Sequence, residues 1–80
     1  MFYVYLIESI SVRDQRYVGI TTDLRQRLRD HNSGRSPHTM KLKPWQLRTY
    51  IAFSNEAKAE AFERYLKSGS GHAFAKRRLW

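Results

Sequence analysis

The chain has 80 residues, which bounds it to one domain, 1–80, with a thin core. It has no Cys, which excludes disulfides, thiolate zinc sites and cysteine nucleophiles and fits a cytoplasmic protein. Fifteen Lys and Arg against seven Asp and Glu give +8, a balance that favours a polyanionic partner, nucleic acid above all.

The charge is uneven. Residues 1–24 carry two basic and three acidic side chains, residues 25–80 thirteen basic and four acidic, a net +9. The apolar start "MFYVYLI" is far shorter than the about 20 residues a membrane helix needs. No charged region precedes it, so it is not read as a signal peptide.

Residues 2–9, "FYVYLIES", are aromatic and β-branched and predict a strand. Its alternation sends Phe2, Val4 and Leu6 to one face and Tyr3, Tyr5 and Ile7 to the other. Both faces are apolar, which places the strand inside a sheet. "SVRDQ", 11–15, is a polar turn, and "RYVGI", 16–20, a second strand forming a hairpin with the first. The period then changes: Leu24, Leu28 and His31 have helical spacing, with Thr22 as N-cap, Asp23 near the positive helix end and Gly34 as stop. Residues 33–46 form a long basic connection. "LRTYIAF", 47–53, alternates as a third strand. Residues 54–69 are the strongest helix, capped by Ser54 and stopped by Gly69. "GSG", 69–71, reads as a helix–helix turn, and 71–79 as a short last helix. The order β-β-α-β-α-α predicts an α+β fold: a small three-stranded antiparallel sheet flanked by helices.

Several residues stand at the edge of a buried stripe. Tyr5 and Tyr17 sit on adjacent hairpin strands, where they either pack as a cross-strand pair or line one pocket. Arg27 follows Leu24 by three and precedes His31 by four, so it borders the inward face of its helix. Arg25 and Arg29 point elsewhere, to solvent or to phosphate. Glu63 flanks the stripe of Ala59, Phe62 and Leu66, where an acid needs a partner: Lys67 at i,i+4, or a bound cation. His31 either packs at a helix C-terminus, where its charged form is favoured, or assists proton transfer. No two His lie at i,i+4, and no Gly-rich phosphate loop or Ser/His/Asp order is present.

"VYL" (4–6) followed by "YVG" (17–19) resembles the paired strand motif of the GIY-YIG nuclease superfamily. Tyr5 matches the Tyr of the first triplet, and Tyr17 and Gly19 the Tyr and Gly of the second. "TTDLRQRLRDH" is similar to the helix that follows in that family, with Arg27 at its essential Arg and His31 at its frequent His. "AEAFERYLKSG" is similar to the later helix that carries the metal-binding acid, which falls on Glu63. The resemblance covers nearly the whole chain and looks nearest to short single-domain members related to the nuclease domain of the nucleotide-excision-repair incision subunit.

The resemblance implies a divalent-metal-dependent endonuclease cutting phosphodiester bonds, of DNA first, with a link to DNA repair. Glu63 would hold Mg²⁺ or Mn²⁺, Arg27 would neutralise phosphate charge, and Tyr17 or Tyr5 would position or deprotonate water. A free phenol has a pKa of about 10, so that role needs it lowered. His31 would help move the proton, and Gly19 would let the strand backbone approach a helix or substrate. Backbone contacts are expected from Arg25, Arg29, Arg35, Lys41, Lys43, Lys67, Lys76, Arg77 and Arg78, and specificity from these or from a protein partner. The five catalytic candidates are expected to converge on a shallow, solvent-open pocket. The rival reading is a catalytically silent nucleic-acid-binding module of the same fold.

Overall fold

The computed structural model describes residues 1–80. Strand β1 (Phe2–Ser9) pairs antiparallel with β2 (Arg16–Thr21) and with β3 (Trp45–Phe53), so the sheet order is β2-β1-β3. The doubly apolar strand is central, as its alternation predicts. Its faces feed two cores. Val4 and Leu6 pack with Ala59, Leu66 and Ala75 of helices α2 (Glu56–Leu66) and α3 (Gly69–Arg78). Tyr5 and Ile7 pack with Trp45 and, from helix α1 (Leu24–Ser33), with Leu24 and Leu28. The α+β sheet is thus covered on both faces. No helix is long and apolar enough to cross a membrane.

The boundaries differ from the sequence reading for local reasons. The cap of α1 is Asp23, not Thr22: its carboxylate accepts from the Gln26 N–H at 3.0 Å while Thr21 Oγ1 accepts from Asp23 N. Gly34 ends α1 in the left-handed region, φ 84°, where its lack of Cβ removes the strain. Asn55, not Ser54, caps α2 by accepting from Lys58 N. That helix ends at Leu66, before Gly69, because Ser68 opens the next one. Its hydroxyl accepts from Gly71 N and donates to the Tyr65 carbonyl at 2.6 Å. Residues 69–71 are therefore the first turn of α3 and not a connecting turn. Strand β3 begins at Trp45, two residues early, because the Asn32 amide bonds both the N–H and the C=O of Trp45. Within 33–46, a single 3-10 turn forms at Met40–Leu42.

Candidate active site

Cross-strand register puts Tyr5 directly opposite Gly19. Tyr17, two residues away on the same face of β2, brings its ring centroid to 6.4 Å from that of Tyr5 and to 5.2 Å from that of His31. Four of the five catalytic candidates, Tyr5, Tyr17, Arg27 and His31, therefore meet on the face covered by α1. The close approach that Gly19 permits within the protein is not to a helix. It is to Tyr5 itself, whose hydroxyl oxygen lies 2.3 Å from where a Gly19 Cβ would be.

The hydrogen bonds through Tyr5 can be assigned donor by donor. Arg27 Nε donates to Tyr5 Oη at 3.2 Å. The phenol has one hydrogen and offers it to His31 Nε2 at 2.8 Å. Nε2 is then the acceptor, so the imidazole hydrogen is on Nδ1 and is donated to Thr39 Oγ1 at 2.6 Å. Thr39 in turn donates to the Ser36 carbonyl at 3.4 Å. With His31 neutral in this tautomer every hydrogen of the series has an acceptor, whereas a charged imidazole would leave the Tyr5 hydrogen without one.

The electrostatics agree. Burial, followed by the charge of Arg27, lowers the His31 pKa to about 4, against a smaller opposite pull from Asp30. The C-terminal position on α1 does not keep it charged, because the imidazole is fully buried. Burial also raises the Tyr5 pKa, outweighing the lowering by the hydrogen bond and charge of Arg27. This is the reverse of what a Tyr5 base would need. Arg27 is held charged: burial opposes the charge, but the hydrogen bond to Tyr5 and the neighbouring acidic groups outweigh it.

Tyr5 and His31 are buried, while Tyr17, Arg27 and Glu63 are half-buried. The five do not share the single open pocket expected of them: only Tyr17 lines a groove. Glu63 belongs to α2, in the layer opposite α1, yet its negative charge is felt at Tyr5 and contributes to the rise in that pKa. Its carboxylate pairs with Lys67 at 2.5 Å, and the Lys67 ammonium stands 6.0 Å from the Tyr17 ring centroid. Asp30 is the other acid near the site, but its carboxylate is taken by Gln26 at 2.9 Å and faces Arg35 at 3.9 Å.

No group of three or more His, Asp or Glu stands together. A divalent cation would find one hard oxygen donor at Glu63, with water and phosphate left to fill its shell. This suits Mg²⁺ or Mn²⁺, which keep several waters, better than an ion requiring an all-protein cage.

The basic residues divide. By the 100° helical step, Arg25 and Arg29 lie on the side of α1 opposite Arg27, and Arg29 donates to Gln26 Oε1 at 2.8 Å. Arg35, Lys41 and Lys43 are exposed in the connection to β3, and Lys76, Arg77 and Arg78 on the last turn of α3. Lys67 and Lys76 border the same groove as Tyr17.

Thr39, Ser36, Asn32 and Trp45 escaped the sequence reading. The side chains of Thr39, Asn32 and Trp45 and the carbonyl of Ser36 hold the irregular connection against α1, and Trp45 Nε1 donates to the Thr39 carbonyl at 3.0 Å. Nothing in a Ser- and Thr-containing loop marks one hydroxyl as the partner of a buried His. Only closure of the loop onto α1 does so.

The pattern of the family described as "GIY-YIG catalytic domain" matches residues 1–77. Among solved structures, the chain is similar to the UPF0213 protein BH0048 from Bacillus halodurans, determined by NMR in solution. Identity is 27%, the TM-score 0.58, and the match covers 99% of this chain and 87% of that one. A comparison with curated proteins found no match. With the family pattern spanning almost its whole length, the chain belongs to the GIY-YIG catalytic domain family, a family of nucleases.

Proposed function

We propose that this protein is a divalent-metal-dependent endonuclease that hydrolyses phosphodiester bonds of nucleic acid, DNA in the first place. The observation that carries the proposal is the bond from Arg27 Nε to the buried Tyr5 phenol with the Tyr17 ring beside it; Glu63 is tied to the Tyr17 edge through Lys67, whose ammonium stands 6.0 Å from that ring.

Arg27 spends Nε on Tyr5, which fixes the guanidinium plane and leaves its terminal nitrogens for the non-bridging oxygens of the scissile phosphate. Tyr17 is the phenol that meets the attacking water, because it is half-buried and its hydroxyl stands outside the series from Arg27 to Ser36. Tyr5 and His31 act from below as positioning residues. Neutral His31 keeps the Tyr5 hydrogen directed inward, so that Oη offers its lone pair to Arg27. Glu63 would hold Mg²⁺ or Mn²⁺, which when bound supplies charge neutralisation and a more acidic water.

Cleavage of labelled single-stranded, duplex, flap and branched DNA, with matching RNA, tests the reading in Mg²⁺ or Mn²⁺ beside Glu63→Ala. The expected result is metal-dependent cutting by the wild type and none by the variant. Binding without cutting on every substrate would favour the silent module instead.

A further inference from the structure

A groove of about 570 Å³ begins at Tyr17 and runs along the C-terminal end of α2 and the face of α3. Arg16, Lys67, His72 and Lys76 line it, and Asp14 is the only acid in its wall. Such a lining suits an anionic chain. One of its cations, Lys67, is also the partner of Glu63, and it stands over Tyr17. Lys67 is half-exposed on a flexible stem at the end of α2, while Glu63 is largely covered. The lysine can therefore move where the acid cannot.

We propose that Lys67 is an electrostatic latch, neutralising Glu63 in the free protein and drawn into the groove by an arriving backbone phosphate, which exposes the carboxylate to a divalent cation. The proposal rests on the nuclease reading and adds a coupling to it: each of nucleic acid and metal binds more tightly when the other is present. Lys67 has one charge and two anionic claimants. Whichever anion holds the ammonium leaves the other open. By linkage, metal and nucleic acid must then strengthen each other's binding by the same factor.

Titration with Mn²⁺, read by electron paramagnetic resonance of the unbound ion, tests this without turnover. The free protein is compared with Lys67→Met and Lys67→Arg. The same titrations are then made with a fully phosphorothioate-substituted oligonucleotide present, after subtracting the ions it binds alone. Lys67→Met is expected to bind Mn²⁺ about three- to fivefold more tightly than wild type in the absence of nucleic acid, the range of a strong exposed ion pair. Lys67→Arg should behave as wild type. The oligonucleotide should tighten wild-type binding and close the gap to Lys67→Met, and Lys76→Ala should reduce its effect. Equal affinity of wild type and Lys67→Met without oligonucleotide, or a gap the oligonucleotide leaves unchanged, overturns the latch. Glu63→Gln separates the two ideas. If it abolishes Mn²⁺ binding, the metal assignment stands whatever Lys67 does; if it changes nothing, that assignment falls and the latch with it.

Discussion

The ring of Tyr5 occupies the space that any side chain on Gly19 would need. The two residues pair across β1 and β2, and a Cβ on Gly19 would fall 2.3 Å from the Tyr5 oxygen and 2.4 Å from Cζ. The ring is fixed at its far end by Arg27 and His31, so it has nowhere to yield. Gly19→Ala should destabilise the fold by about 2–3 kcal/mol, the cost of overpacking a fixed core group. Chemical denaturation measures this, and wild-type stability in the variant would show that the ring can move aside.

The two site tyrosines should separate cleanly. Tyr5→Phe leaves a buried imidazole nitrogen and the Arg27 Nε–H without their partner, at a cost of about 1–3 kcal/mol. Tyr17→Phe leaves the Tyr5 hydrogen bonds intact and should change stability by less than about 1 kcal/mol, while slowing cleavage by 10²-fold or more, roughly the contribution of a positioned proton-transfer group. Unfolding curves and single-turnover rates on both variants check this. Full cleavage by Tyr17→Phe would move the water-facing role elsewhere.

Stability should fall with acid through His31. Its folded pKa, about 4, lies below the unfolded value of about 6.5. The unfolded chain therefore binds the extra proton between those values, and unfolding becomes easier as pH falls through that window. The full shift amounts to about 3 kcal/mol, with the contribution to the slope fading out above about pH 7.5. Unfolding free energies at pH 7.5, 6.0 and 5.0 should show the decline, and His31→Gln, which does not titrate there, should flatten it. An equal slope in both proteins would locate the titration elsewhere.

Arg27→Ala removes a half-buried side chain whose one internal bond is to Tyr5. Stability should drop by about 1 kcal/mol, the net worth of such a bond, while cleavage is lost. Arg27→Lys should restore little, since an ammonium cannot hold Tyr5 and present a planar fork to phosphate at once. Cleavage assays on folded variants decide it; near-normal cutting by Arg27→Ala would remove it from the reaction.

Binding to nucleic acid should weaken steeply with salt. Thirteen of the fifteen basic residues lie in 25–80, and each phosphate they neutralise releases counterions, with a log–log slope of about −0.7 to −0.9 per contact. Fluorescence anisotropy from 50 to 300 mM salt measures the slope. Single substitutions of Arg25 or Arg29, on the side of α1 away from Arg27, should lower affinity without altering the cleavage rate of bound substrate. A flat salt response would oppose a phosphate-led interface.

Alternation by itself determined that β1 is central, because a strand apolar on both faces must be covered on both. Helical spacing determined that Arg27 borders a buried stripe, and the Tyr and Gly positions of the hairpin carried the family resemblance. These are local patterns, set by periods of 2 and 3.6 residues that the backbone imposes. Only the tertiary structure decided that Gly19 yields its space to Tyr5, that His31 is neutral, and that its imidazole bridges Tyr5 and Thr39. Each depends on residues 8 to 26 positions apart meeting out of water. Burial, unlike period, is a property of the assembled layers: the same imidazole that would be charged on an exposed helix end is held neutral once the sheet, α1 and the loop close around it.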